Sequence, residues 1–429
     1  MYSPAGTLLL SPMGLAGQET ARTIAVLGGA LSIIAAVAIV ASMVNKHKVV
    51  PIAAFTLFFA CLLAEPVTTT LRLTNINGFL LLLEVLFVWS AVRVYQAHRT
   101  SDRNWWQRSV DELRSPWACL AAACLMCAVA VKPQFVVMAM IPLGTLQLGI
   151  LVLAFAMFLV VYAAGTAVMA DPGDYLTHVV PHLSEPRNSF NEAIGTQLAN
   201  RDINESLGTL LVSALCMVSL LALYFLMRWV DVDTVMWSFA TIGVLLPTIF
   251  MVTGFLQGYY SMWLLPLIPL TLAQRTPMRN PVLWLALWFT STDSSRPTEF
   301  FPVLDGYPIK TIGWVLIPVL ILAWSVWDAW RERDFTAFGA STAESAGAPE
   351  TEGGVLAAEH SEQGAQNELE APETFGGQVK NAWVRDVESD ALGWPDLKSY
   401  AQALKASVAA TGPESTELRQ SDLEQSRPE

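Results

Sequence analysis

From Pro133 to Ala170 the chain runs without one charged side chain, which no ordinary water-soluble domain requires and a lipid bilayer demands. The hydrocarbon core is about 30 Å thick and an α-helix rises about 1.5 Å per residue, so about 20 apolar residues cross it. By that ruler the sequence predicts crossings near 22–44, 49–64, 76–95, 116–131, 134–145, 146–169, 207–228, 233–254, 260–272, 281–291 and 309–330. The expected fold class is all-α, a polytopic transmembrane helical bundle of about ten to eleven spans, because helices satisfy their own backbone polar groups in lipid. The segments 134–145 and 281–291 are short enough to be re-entrant instead. No cleavable signal peptide is expected, since Tyr2-Ser3-Pro4 leads into a merely moderate apolar stretch.

The net charge of −12 sits almost wholly at one end. Residues 335–429 hold 17 acids and 6 bases, which accounts for −11 of it, and the apolar part is near neutral. Nothing there suits nucleic acid. The same segment is rich in Ala, Glu, Gly, Ser and Gln, so it buries too little apolar surface to offset its ordering entropy. The domain reading is therefore a transmembrane domain over 1–334, with a long loop at 170–206, and a disordered acidic tail over 335–429. Within the tail, Trp383 to Leu404 keeps some helical spacing.

Cytoplasmic loops carry the excess of Lys and Arg. Asn45–Lys48, Arg93–Arg114, Arg228, Arg275 with Arg279, and Arg331 with Arg333 recur on one side, which places that side and the tail in the cytoplasm. The loops near 1–21, 65–75, 170–206, 255–260 and 292–308 then face outward. Cys61, Cys119, Cys124, Cys127 and Cys216 all lie in apolar runs, where cysteine behaves as a small hydrophobe. The Cys124-x-x-Cys127 pair reads as packing, with no disulfide expected.

Four outward features share one side, the first requirement for a site. In Glu65-Pro66-Val67-Thr68-Thr69-Thr70-Leu71-Arg72-Leu73-Thr74-Asn75-Ile76-Asn77, Arg72 can grip a phosphate bidentately and the amides of Asn75 and Asn77 can hold sugar hydroxyls. The plainer reading has Arg72 snorkelling to headgroups and Asn75 capping a helix. Lys132, before Pro133-Gln134, is either a fixed cation for a lipid phosphate or a membrane anchor. In the long loop, Tyr175, His178, Val179 and His182 fall near one helical face, which predicts an interfacial helix. That loop also offers Asp171, Asp174, Arg187, Asn188 and Asn191. The two histidines are four apart, but no third ligand follows and no metal is expected. Gln257-Gly258-Tyr259-Tyr260, with Trp263, belongs to an aromatic belt or a sugar pocket. Glu84 lies mid-span, where a carboxyl must be protonated or partnered.

The order of these features resembles the polyprenyl-phosphate-dependent glycosyltransferases of family 87, of GT-C architecture. The resembling pieces are Tyr2 to Pro12, Glu65 to Asn77, and Ala130-Val131-Lys132-Pro133, which with the 171–206 loop cover the chain to about Trp330. Gln257 to Met262, Asp171 to Tyr175 and Thr311-Ile312-Gly313-Trp314 point further, to the family's arabinofuranosyl-transferring members. Thr74-Asn75 stands where the family usually carries Gly-Gln. The resemblance implies a plasma-membrane enzyme, active on the external face, that transfers arabinofuranose from polyprenyl-phospho-arabinose to a cell-wall arabinan with inversion, making α-1,3 branches. Its partners would be the polyprenyl-phosphate sugar donor, a cell-wall polysaccharide acceptor and membrane lipid, with no cofactor.

By the same resemblance the general base lies in a loop ahead of the Tyr-Ser-Pro segment, so a span and the catalytic loop are expected upstream of Met1. The catalytic residue is otherwise unassigned, with Asp171 and Asp174 the external carboxylates at hand. Arg72, Lys132, His178, His182 and Arg187 are expected on the donor phosphate, and Asn75, Asn77, Asn188, Tyr259 and Tyr260 on the sugar. The alternative donor is polyprenyl-phospho-mannose. From another class, a lipid-linked-sugar transporter would show inverted repeats and ionisable residues at the midplane, and no repeat is visible. An inactive scaffold is the third reading.

Overall fold

The computed structural model describes residues 3–62, 64–99, 104–181, 191–291 and 307–332. The acidic tail, including Trp383 to Leu404, lies outside them. Among the described residues there is no strand, and the α-helices are α1 Pro4–Leu15, α2 Gln18–Val44, α3 Val49–Leu62, α4 Ala64–Arg72, α5 Asn77–Arg99, α6 Trp105–Glu112 and α7 Pro116–Val131. They continue with α8 Met140–Gly144, α9 Leu148–Val168, α10 Ile194–Ala199, α11 Glu205–Leu226, α12 Thr234–Val252, α13 Pro281–Ser291 and α14 Tyr307–Glu332.

Six of these, α2, α5, α9, α11, α12 and α14, are long and apolar enough to cross a membrane. Two bent pairs, α3 with α4 and α6 with α7, bring the number to as many as eight. The bend of 78° before α7 has a local cause: Ser115 Oγ accepts the Ala118 N–H at 3.4 Å and Pro116 occupies the first helical position, so a new helix starts there. The remaining predicted crossings take other forms. Residues 134–145 fall in a 3₁₀ stretch, Pro133–Ala139, followed by the short α8.

Residues 260–272 lie in a 3₁₀ helix of 15 residues, Gly258–Leu272, with Pro266 and Pro269 inside it. Proline removes a backbone donor and clashes with the preceding turn of an α-helix. At about 2.0 Å per residue this form extends for about 30 Å, where an α-helix of the same length would give about 22 Å. A segment too short to cross as an α-helix is thus long enough as drawn out here. Tyr260 through Leu270 are all buried, so it runs through the middle of the bundle.

The charge alternation of the loops is realised as two ends. At one, Arg228 Nη2 donates to Glu332 Oε2 at 3.0 Å, Arg275 also bonds Glu332, and Tyr95 Oη donates to Asp231 at 2.6 Å beside Arg99. At the other lie α4, the start of α5, the end of α7, the loop after Asn191 and the start of α14. Near that end α2 and α5 meet at their backbones. A Cβ on Gly78 would come 2.6 Å from Gly29 O, so only glycine permits the approach. This crossing fixes Asn77 one residue away. Deeper in α5, Glu84 is fully buried and neither carboxylate oxygen has a hydrogen-bond partner among the described residues. All five cysteines are free.

Candidate functional site

Three ionisable side chains from distant parts of the chain converge at the second end. Lys310, in the first turns of α14, donates from Nζ to Glu65 Oε2 of α4 at 2.6 Å and lies 3.3 Å from Glu192 Oε1. The Lys310 side chain is 0% exposed, that of Glu192 1% and that of Glu65 18%. Glu65 is therefore the edge of the cluster that meets its surroundings. A buried cation costs much desolvation unless carboxylates and hydrogen bonds surround it, and here two carboxylates share one ammonium.

Glu192 is held by its own backbone and by its neighbour. Its N–H donates to Leu256 O at 2.8 Å and its carbonyl accepts from Thr311 Oγ1 at 2.6 Å. Asn191 ties the same segment down: its Nδ2 donates to Gly254 O at 2.7 Å and to Thr196 Oγ1 at 2.8 Å, while its Oδ1 accepts from Leu256 N at 2.9 Å. Trp314, one turn beyond Lys310, donates Nε1–H to Glu192 Oε2 at 2.8 Å. Burial pushes the Glu192 carboxyl up to about 7, against the downward pull of Lys310 and the Trp314 N–H, with Glu65 adding upward. A carboxyl titrating near neutrality can hold or release a proton with little driving force.

Gly258 closes the cluster from the side. A Cβ there would stand 2.5 Å from Lys310 Nζ and 2.6 Å from Glu192 Oε1, so any other residue would have to push the charged ends of these side chains aside. Two residues on, Tyr260 carries the second half of the site. Lys132 Nζ, just past the end of α7, sits 3.9 Å from the Tyr260 ring centroid and 4.6 Å from that of Trp263, an arrangement in which aromatic faces support the cation. Tyr260 and Trp263 stack at 4.7 Å, and Trp263 Nε1 donates to Asn77 O at 3.3 Å. Asn77 is fully buried, and among the described residues its amide oxygen and nitrogen both lack a hydrogen-bond partner. Phe250 bridges the halves, packing on Tyr260 at 4.9 Å and on Trp314 at 6.4 Å.

Of the residues singled out from sequence, the structure brings together Lys132, Asn77 and Tyr260. Tyr259 lies against Tyr260, with ring centroids 5.2 Å apart, and its hydroxyl bonds Gln257. Asn75 Oδ1 accepts the Asn77 N–H at 3.2 Å, a local turn at the start of α5. Arg72, at the end of α4, is exposed. Asp171 and Asp174 are exposed as well, and Asp174 lies 3.4 Å from His178, whose Nδ1 also meets Thr177 Oγ1 at 3.0 Å. The helical spacing there becomes one π-helical turn over Tyr175–Val179. His182, Arg187 and Asn188 fall outside the described residues. Glu192 and Lys310 were not among the sequence candidates, although an ionisable residue in the first turns of an apolar helix is itself a signal.

Comparison with known proteins follows the same lines. The family model of Glycosyltransferase family 87 matches residues 1–254. Among curated relatives, an alpha-(1→3)-arabinofuranosyltransferase of Corynebacterium glutamicum is 28% identical over 338 residues, covering 76% of this chain and 74% of the relative. Proteins of the same description from Mycolicibacterium smegmatis and Mycobacterium tuberculosis are 29% and 30% identical, over 75% and 73% of this chain and 71% and 70% of theirs. No solved structure matches the chain.

Proposed function

The chain belongs to glycosyltransferase family 87 and is a membrane-embedded glycosyltransferase, and on that premise we propose that it moves arabinofuranose from polyprenyl-phospho-arabinose to a cell-wall arabinan, forming α-1,3 branches. The arabinose and its linkage are suggested by the names of the relatives. The observation that carries the reading is the meeting, at one end of the bundle, of the Glu65–Lys310–Glu192 cluster with Lys132 over Tyr260. This end lies opposite Arg228 and Arg275, which, by the positive-inside rule, supports an outward-facing site.

In this mechanism the acceptor hydroxyl oxygen attacks the anomeric carbon from the face opposite the phosphate. The C1–O bond to phosphate breaks, polyprenyl phosphate leaves, and the acceptor proton passes to a carboxylate. In place of the base that the resemblance puts ahead of the Tyr-Ser-Pro segment, and of the exposed Asp171 and Asp174, we take Glu65, the carboxylate of the cluster that reaches its edge, with Lys310 and Glu192 setting its position. Lys132 and Arg72 balance the phosphate charge as it leaves, while Asn77 and Tyr260 meet the sugar. The buried, unpartnered amide of Asn77 supports a polar ligand, since such groups in folded proteins are otherwise satisfied.

The test reconstitutes the protein and offers polyprenyl-phospho-arabinose or polyprenyl-phospho-mannose with an arabinan oligomer. Arabinose transfer that falls at least about 100-fold in Glu65→Gln is the expected result. Mannose transfer alone would move the reading to the mannosyl donor. No transfer of either sugar, or full activity in Glu65→Gln, would overturn the donor or the role of Glu65 respectively.

A further inference from the structure

At the end of the bundle away from this cluster, a cavity of about 480 Å³ opens between the segment after the 3₁₀ helix and the last turns of α14. Its lining includes Arg275, Arg279, Arg331, Asp328, Trp324 and Trp327. Lys310 and Asp328 lie on the same helix, 18 residues and therefore about 27 Å apart at about 1.5 Å per residue. That distance is close to the thickness of the hydrocarbon core, so the cavity stands at the opposite membrane boundary.

The three guanidiniums differ in what they already hold. Arg275 shares Glu332 with Arg228. Arg279 donates from Nε to Thr271 O at 3.4 Å, and Arg331 lies 5.7 Å from the Trp327 ring. Among the described residues neither Arg279 nor Arg331 has a carboxylate within ion-pair distance. Asp328 is 4% exposed, yet its Oδ2 has no hydrogen-bond partner among the described residues. Two guanidiniums that form no ion pair among the described residues, beside an acceptor without a donor there, suit a ligand carrying both an anion and O–H groups. Guanidinium forks match phosphate oxygens, a buried carboxylate oxygen calls for a hydroxyl donor, and tryptophans at this depth flank lipid headgroups.

We propose that this cavity binds a phosphate borne on a polyol: Arg279 and Arg331 take the phosphate oxygens and Asp328 Oδ2 accepts a hydroxyl of the polyol. The phosphate comes either from a membrane lipid such as phosphatidylglycerol or from a soluble polyol phosphate. The site is separate from the glycosyl-transfer cluster and does not depend on the reading of its donor.

The experiment uses the full chain in nanodiscs of phosphatidylcholine. Bound lipid is counted by native mass spectrometry, and thermal unfolding is followed as phosphatidylglycerol is added to the disc or glycerol 3-phosphate to the buffer. One retained phosphatidylglycerol and a raised melting temperature support a lipid source; stabilisation by glycerol 3-phosphate in neutral discs supports a soluble one. In either case Arg279→Gln with Arg331→Gln weakens binding about tenfold or more, whereas Lys46→Gln with Lys48→Gln, at the same end but outside the cavity, leaves it unchanged. Asp328→Leu, which has no acceptor, removes the preference for phosphatidylglycerol over phosphatidic acid. Native mass spectrometry of the unaltered chain needs no variant to fold, and retention of neither ligand above phosphatidylcholine overturns the site. Equal loss in the arginine and lysine variants overturns it too, and a headgroup preference untouched by Asp328→Leu overturns the hydroxyl contact.

Discussion

Replacing Glu192 with glutamine tests the cluster through its dependence on pH. Burial raises the carboxyl from an ordinary 4.5 to about 7, so the folded protein holds the proton more tightly than the unfolded chain. Stability contributed by this group is then fully present below about pH 4.5 and is lost as pH rises through about 7. At about 1.36 kcal/mol for each pKa unit, the loss between pH 4.5 and 8 comes to about 3 kcal/mol. The substituted glutamine cannot titrate, yet its amide oxygen can still accept from Trp314 Nε1, so the variant isolates the charge from the hydrogen bond. Unfolding of both proteins in mixed micelles at pH 4.5, 6 and 8 gives the comparison. The expected result is that the natural chain loses about 3 kcal/mol relative to Glu192→Gln across that range. Parallel pH curves would mean that Glu192 does not titrate in this window, and the account of its environment would fail.

Gly258→Ala drives a methyl toward Lys310 Nζ and Glu192 Oε1 and displaces the buried charges without removing either, at a cost below the about 3–5 kcal/mol of losing one partner, so a lower melting temperature and slower transfer should follow, and wild-type values for both would refute the close approach. Lys132→Met removes the cation from Tyr260 and Trp263 at a cost of only about 0.5–2 kcal/mol to stability. Its KM for the lipid donor should nonetheless rise about tenfold if Lys132 meets the phosphate, and an unchanged KM would remove it from the site. Pro266→Ala with Pro269→Ala permits the 258–272 segment to wind from about 30 Å toward about 22 Å. Strain on Gly258 at one end and Arg275 at the other should lower both melting temperature and transfer rate, and no change in either would show that the prolines do not hold the segment extended.

Much of the fold was legible because lipid reduces the choices. Apolar length and the side of each Arg cluster place α2, α5, α9, α11, α12 and α14 with their direction, and Arg228, Arg275 and Glu332 do meet at one end. The count of crossings was less legible, since a ruler of about 1.5 Å per residue assumes α-helix throughout. It undervalues 260–272, where two prolines impose a longer rise. It also cannot see that Ser115 and Pro116 start a second helix at a sharp angle to α6. Local chemistry explains both departures, but only after the backbone form is known.

The site was half legible, and the division has a physical basis. Asn77, Lys132 and Tyr260 could be read because each sits at a span boundary where polar groups are conspicuous. Lys310 sits at such a boundary too, but its meaning depends on Glu65, 245 residues away. An ammonium buried in the first turns of an apolar helix must find a carboxylate at its own end of the bundle. The alternation of loops confines the choice to acids within 1–21, 65–75, 170–206 and 292–308. Pattern goes no further, and packing decides the rest. Thr311 and Trp314, one and four positions after Lys310, both bond Glu192, so a single face of α14 grips residue 192 and presents its lysine to that carboxylate. Gly258 leaves the gap through which Glu65 completes the pair. A face with spacing i, i+1 and i+4 whose members are a cation, a hydroxyl and an indole N–H is therefore the readable trace of a buried acid still to be found elsewhere in the chain.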